Sequence, residues 1–387
     1  MLRSLALATL VLSSIRAFAA PAPILVNCDA GQSLNRTLAA LNKLTPATVQ
    51  FTGTCTEYVL IDGFNNLTIK GTKGAIIQQP PTTPTSPFLV LSVKASQSVT
   101  LSAFTVRSLP SASSAIGIGK GSSDVLVQNV STDGSWGIEV YEESQVWLVG
   151  VNVNITSGYA AISAFDKSDV HIVGGVLHRP AGPAFNAGLL VGSGHVTMQG
   201  TTIRNMQQSI NIGASGSVDL VNFDPTAKAV DVTIDNPAGT NFNGVIVSDG
   251  SSLNISSARL LIANAGQPYG FNSGAVYVTN SSDLNAGASL IITGSHGQGV
   301  IVSNSSHADL AGSSITGGAH GGLVVVNLST ASVGTGDPSN NPLTTISGNG
   351  TDLFCDSKSQ IAGSLNIANA AVVQCNHLLP GLYESLP

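Results

Sequence analysis

The sequence predicts an all-β protein: a single-stranded right-handed parallel β-helix, a solenoid of about a dozen coils with a short N-terminal capping helix. Three observations predict it. A ten-residue pattern returns along the chain about every 21 to 35 residues, the range in which repeats mean stacked units. Within each copy apolar residues alternate with others, which is the period of a strand and not of a helix. The composition agrees, since 9% of the residues are charged, 43% are hydrophobic and 42 are glycine, a mixture suited to short strands and tight turns.

The elements follow in order. Leu2 and Arg3 precede an apolar run from Leu5 to Leu12 and a small-residue exit at Ala17, Ala19 and Ala20, which reads as a signal peptide over 1–20. The run is shorter than the ~20 apolar residues of a membrane span, and Arg16 closes it, so no transmembrane segment is expected after cleavage. The expected destination is secreted or periplasmic. Residues 21–46 hold an N-terminal strand and the capping helix. Ser33 sits at an N-cap position, Leu34, Leu38, Leu41 and Leu44 follow at helical spacing, and Pro46 stops a helix running from about Leu34 to Lys43. The solenoid occupies 47–387. The four cysteines fall into terminal pairs, Cys28 with Cys55 and Cys355 with Cys375, and an oxidising destination makes a disulfide at each end their expected use. Their spacing does not suit a thiolate metal site, so no metal is expected, nor any cofactor. Nine Asn-x-Ser/Thr sequons, among them Asn129-Val130-Ser131 and Asn304-Ser305-Ser306, are read mainly as turn asparagines.

Gly137 to Val146 and Ala161 to Val170 align without gaps, as do Gly244 to Leu253, Ala275 to Leu284, Gly299 to Ala308 and Asp352 to Ile361. The shared order is small, apolar, any, apolar, any, Asn or Asp, any, Ser, any, apolar: a strand, a polar corner, then a second strand. The second and fourth positions (Ile138 and Val140, Ile162 and Ala164, Val245 and Val247, Val300 and Val302, Leu323 and Val325) should point into the coil. The third and fifth should point out. The second strand appears at Val125-Leu126-Val127, Val146-Trp147-Leu148 and Val170-His171-Ile172, and a third apolar site at Val130, Val153, Val176 and Ile203. Asp249, Asn280, Asn304 and Asn327 should stack as a corner ladder.

The stretch Ala47-Thr48-Val49-Gln50-Phe51-Thr52-Gly53-Thr54-Cys55-Thr56-Glu57-Tyr58-Val59-Leu60-Ile61, followed by Asn66-Leu67-Thr68-Ile69-Lys70-Gly71, resembles the entry coils of the pectate-lyase-like superfamily of right-handed parallel β-helices. With the capping helix and the repeats, the resemblance covers nearly the whole mature chain. It implies the fold but not one activity, because that superfamily includes lyases, hydrolases, epimerases, esterases and non-catalytic surface proteins. The hydrolases of the polygalacturonase type combine several aspartates with a histidine and a basic residue; here no Asp-Asp pair occurs, and His296-Gly297 and His320-Gly321 lack such partners. Val146-Trp147-Leu148 is similar to the start of a pectate-lyase stretch, but Val149-Gly150 replaces its Asp-His continuation, and Arg179-Pro180 lacks a second arginine.

The repeat alignment puts Glu142 and Asp166 at the same corner of consecutive coils. A pair about 5 Å apart suits glycosidic chemistry, so these are the candidate catalytic acids. Trp136, Glu139, Tyr141 and Trp147 share or adjoin those coils, and His171 and Arg179 follow with His178 and Arg204 as a basic rim for an anionic sugar. All of them also fit a bland reading as solvated corner and wall residues. Farther along, the outward third position turns apolar at Ile246, Tyr277, Ile301, Val324 and Phe354, a stripe that calls for a covering loop, a protein partner or self-association. A net charge of −6, no Lys/Arg cluster and 5% aromatics argue against nucleic acid. The expected function is binding of extracellular polysaccharide or a cell-surface partner without a catalytic set. The alternative is a polysaccharide hydrolase or lyase using carboxylates on adjacent coils.

Overall fold

A computed structural model describes residues 22–81, 89–109, 114–180, 186–223, 231–236, 243–267, 273–334 and 342–363, and the backbone of Leu365–Ile367. The expected signal peptide and Cys375 lie outside the described residues. Among these residues the strands form three parallel sheets of 12, 14 and 13 strands. Each full coil crosses from the 12-stranded sheet (sheet I) over a tight corner to the 14-stranded sheet (sheet II), then to the 13-stranded sheet (sheet III), and returns. This is the predicted parallel β-helix.

Alternation along each strand decides what lies inside. Ile138, Val140, Ile162, Ala164, Val245, Val247, Val300, Val302, Leu323 and Val325 are all fully buried, as their period-two spacing predicts. Each core side chain of that size contributes about 1.5–3 kcal/mol over its exposed state. The small residue that opens the repeat also faces inward, so a side chain added at Gly137, Gly244 or Gly299 would collide with the core or with the next coil's backbone.

The corner between sheets I and II turns on two successive left-handed residues, such as Glu142 and Glu143, Asp166 and Lys167, Asn280 and Ser281, and Asn304 and Ser305. Asn and Asp tolerate that conformation best, which explains the repeat's sixth position. Their side chains also join the coils: Asn280 Nδ2 donates to Asp249 Oδ1 (2.9 Å), Asn304 Nδ2 to Asn280 Oδ1 (3.2 Å) and Asn327 Nδ2 to Asn304 Oδ1 (3.2 Å). The serine two residues on forms a buried hydroxyl ladder. Backbone N–H groups of Ser251, Ser282, Ser306 and Ser329 each donate to the Oγ of the next coil's serine, at 3.2 Å in every case. The sequons at Asn280, Asn304 and Asn327 thus follow from the fold: the corner takes asparagine and the ladder takes serine.

At the N-terminal end Cys28 and Cys55 are disulfide-bonded, with Cα atoms 5.0 Å apart. Cys355 is also disulfide-bonded, but its expected partner lies outside the described residues. The capping helix α1 spans Leu34–Ala39, four residues shorter than the expected end at Lys43. Leu34 and Leu38 are buried beneath it, whereas Leu44 is 77% exposed, so the leucine spacing outran the helix. Glu57 holds the start of α1 by accepting the Ser33 hydroxyl (2.7 Å) and the Leu34 N–H (2.7 Å). The third strand needs a register correction. Val153 and Ile203 point inward as expected, but their equivalents are Thr132 and Leu177, not Val130 and Val176.

Candidate functional site

The residues singled out in the sequence lie on three parts of the solenoid. Trp136 and Glu139 belong to sheet I, in the strand Trp136–Val140, and Tyr141 ends that face. Glu142 and Asp166 occupy the corner, Trp147 and His171 face outward from sheet II, and Arg179 follows the sheet III strand Val176–His178. The structure sets Glu142 and Asp166 on adjacent coils and brings Trp147 against His171. It does not gather the two sets around one cleft.

Glu142 and Asp166 are exposed, and with Lys120 and Lys167 they line one shallow, open depression. Glu142 Oε2 accepts the Lys120 backbone N–H of the preceding coil (3.0 Å), so it caps the corner. The more shielded carboxyl is that of Glu139, whose pKa is raised by burial against the opposing effect of a hydrogen bond from Ser114.

On sheet II the Trp147 and His171 rings stack with centroids 4.3 Å apart, and Phe223 packs against both. Stacking on His171 occupies a face of Trp147 that a sugar would need. His171 is fixed by Thr197 Oγ1 on Nδ1 (2.6 Å) and Asp169 on Nε2 (3.3 Å), and one coil on His195 repeats the scheme with Ser217 (2.8 Å) and Asp219 (3.7 Å). Trp136 likewise stacks on Tyr159, at 5.9 Å. Phe223 and Tyr159 were not anticipated. Arg179 is only 8% exposed, so it presents little surface to a ligand.

A set of residues of which the sequence reading named only His178 and Arg204 stands on sheet III. Arg107, Asp133, Asn154, His178, Arg204 and Asp235 lie at or one residue before the ends of six consecutive strands and are paired in register, one outward column about 24 Å long at the usual strand spacing. Arg107 Nε lies 3.8 Å from Asp133 Oδ2, and Asn154 Nδ2 donates to Asp133 Oδ1 (3.0 Å). Asn154 Oδ1 and His178 Nδ1, both buried on neighbouring coils, have no hydrogen-bond partner among the described residues. Burial and the Arg204 charge both lower the His178 pKa. Arg204 is exposed and forms no ion pair among the described residues. Of the expected basic rim, His178 and Arg204 therefore stand side by side, while His171 is on another sheet. The column was legible in principle: from Ser102 to Arg204 each member lies five residues beyond the end of its sheet II strand.

Cys28, Cys55 and Glu57 cluster closely enough to suggest a metal site, but the two sulfurs are bonded to each other and offer no thiolate. No helix among the described residues is long and apolar enough to cross a membrane.

No protein-family model and no curated protein matches the chain. Solved structures do. Two structures of PfbA, a surface adhesin of Streptococcus pneumoniae, match at 10% identity with TM-scores of 0.38 and 0.36, over 86% of this chain and 90% of that one, and over 89% and 93%. The receptor-binding tailspike protein of bacteriophage Det7 matches at 10% identity and a TM-score of 0.42, over 94% of this chain and 77% of that one. At this distance the likeness carries no argument about a ligand, and the β-helix assignment rests on the chain's own three parallel sheets.

Proposed function

We propose that this protein is an extracellular binding protein whose sheet III holds an acidic polysaccharide, without cleaving it. The observation that carries the reading is the column from Arg107 to Asp235. It offers one exposed arginine, Arg204, free of an ion pair among the described residues, and a second, Arg107, paired to only one carboxylate. A guanidinium recognises a uronate carboxylate by paired hydrogen bonds, and the coil spacing repeats such contacts along an extended chain. The Cys28–Cys55 disulfide fits an oxidising compartment. The resemblance to the pectate-lyase-like superfamily fits a polysaccharide ligand.

The test is affinity electrophoresis in polygalacturonate and alginate, run beside assays for new reducing ends and unsaturated products. Retention that falls with salt, no product, and a loss of about tenfold in affinity in Arg107→Ala/Arg204→Ala are expected. Retention unchanged in that variant refutes the sheet III assignment. Product release abolished by Glu142→Gln or Asp166→Asn would instead establish the carboxylate-pair enzyme.

A further inference from the structure

The apolar stripe foreseen in the sequence is a continuous column on sheet I, because Ile246, Tyr277, Ile301, Val324 and Phe354 are paired in register on successive coils. From Tyr277 to Phe354 the column forms the floor of a groove of about 600 Å3. That is within the size range of small-ligand sites. The floor is carbon: Ile301 is buried at its centre, and Tyr277, Val324 and Phe354 are half-buried around it. The Tyr277 hydroxyl lies 3.3 Å from Ser303 Oγ, which holds the ring across the next coil. The rim is of a different kind. Asn304 and Asn327 edge one side and Thr351 the other, and no Lys, Arg, Asp or Glu lines the groove among the described residues.

We infer that this groove is a second carbohydrate site, separate from sheet III and specific for a neutral oligosaccharide. An acidic chain would meet no Lys or Arg here among the described residues. An acyl chain would cover the floor but desolvate the remaining polar capacity of the rim, the Thr351 hydroxyl and the Asn327 carbonyl oxygen, without pairing it, at a cost for each. A neutral sugar meets both demands, setting its C–H face on Tyr277 and Phe354 and its hydroxyls against the asparagines and Thr351. With Gln298, Ser303 and His320 as the remaining polar side chains and no Lys, Arg, Asp or Glu in the lining among the described residues, the groove is matched to an uncharged ligand.

The test is titration of the full chain with cellohexaose, xylohexaose and mannohexaose, followed by calorimetry and by quenching of tyrosine fluorescence. At least one hexasaccharide should bind. Tyr277→Ala and Phe354→Ala should each weaken it about tenfold, and Arg107→Ala/Arg204→Ala should leave it unchanged. Because truncating the floor can disturb packing, Thr351→Val, which removes a rim hydroxyl and keeps the β-branched shape, is the companion variant and should weaken binding without altering thermal unfolding. Failure of all three sugars to bind at millimolar concentration overturns the inference. So does equal loss of binding in the sheet III variant, or sedimentation showing that the protein self-associates through this face and that Val324→Asp makes it monomeric. Failure on sheet III alone leaves this result standing, since the two sites share no residue.

Discussion

Replacing Ser306 by alanine isolates the contribution of the buried hydroxyl ladder at the corner between sheets I and II. Ser306 Oγ accepts the Ser282 N–H at 3.2 Å, while the Ser306 N–H donates to Ser329 Oγ at 3.2 Å. Alanine keeps the second bond and orphans the first donor. Ser282 is only 1% exposed, so water does not take the place of the lost acceptor. An unpaired buried donor costs about 1–3 kcal/mol, and deleting a single oxygen adds little cavity. In native-state hydrogen exchange the Ser282 amide should therefore exchange roughly 5- to 150-fold faster. Ser306→Thr keeps the acceptor and should recover most of the protection. Because solenoid coils are stabilised mainly by their immediate neighbours, the change should be confined to coils adjoining Ser306. A change of less than about twofold at Ser282, or a uniform loss of protection along the chain, would refute the ladder argument.

The other predictions concern the end of the solenoid and two titrating groups. Cys28→Ser/Cys55→Ser should cost about 2–4 kcal/mol, seen as early loss of exchange protection in α1 and the first coil, with distant coils unaffected. Glu139 has a folded pKa raised above the ordinary glutamate value of 4.5 by burial, so its ionisation opposes folding: its contribution is neutral below that value and turns unfavourable as pH rises through the raised folded pKa. Glu139→Gln should accordingly raise the unfolding temperature at pH 7 and leave it unchanged at pH 4; a gain at both would assign the effect to packing. His178 has its folded pKa below 6.5, so stability should be complete above pH 6.5 and fall as pH drops toward the lower folded value. His178→Asn should flatten that part of a pH series of denaturation midpoints, and an unchanged slope would exclude the imidazole as its source.

How much was legible depended on whether a residue's identity was dictated by the coil. Sheet I and the corner are dictated: Ile138 and Val140 must fill the core, Asn304 must tolerate a left-handed turn, and Ser306 must serve the ladder, so the repeat, the inward columns and the apolar stripe could all be read directly. Glu142 and Asp166 drew attention because they share a corner, yet corner geometry alone accounts for Asp166, and Glu142 caps a backbone amide there. The column on sheet III escaped for the opposite reason. Its strands are often only three residues long, as at Thr105–Arg107, Val176–His178 and Thr202–Arg204, so each shows a single inward position and no alternation. In one coil that position is Thr132, a polar residue at 2% exposure whose hydroxyl has no partner, and it broke the apolar pattern that register relies on. Anchoring instead on Val130 and Val176 left Asp133 and His178 out of register with Asn154 and Arg204, so His178 and Arg204 were grouped as a rim but not extended into a column. Outward positions are where a solenoid is free to vary, so chemistry concentrated there becomes visible only after the least regular of the three strands has been placed in register.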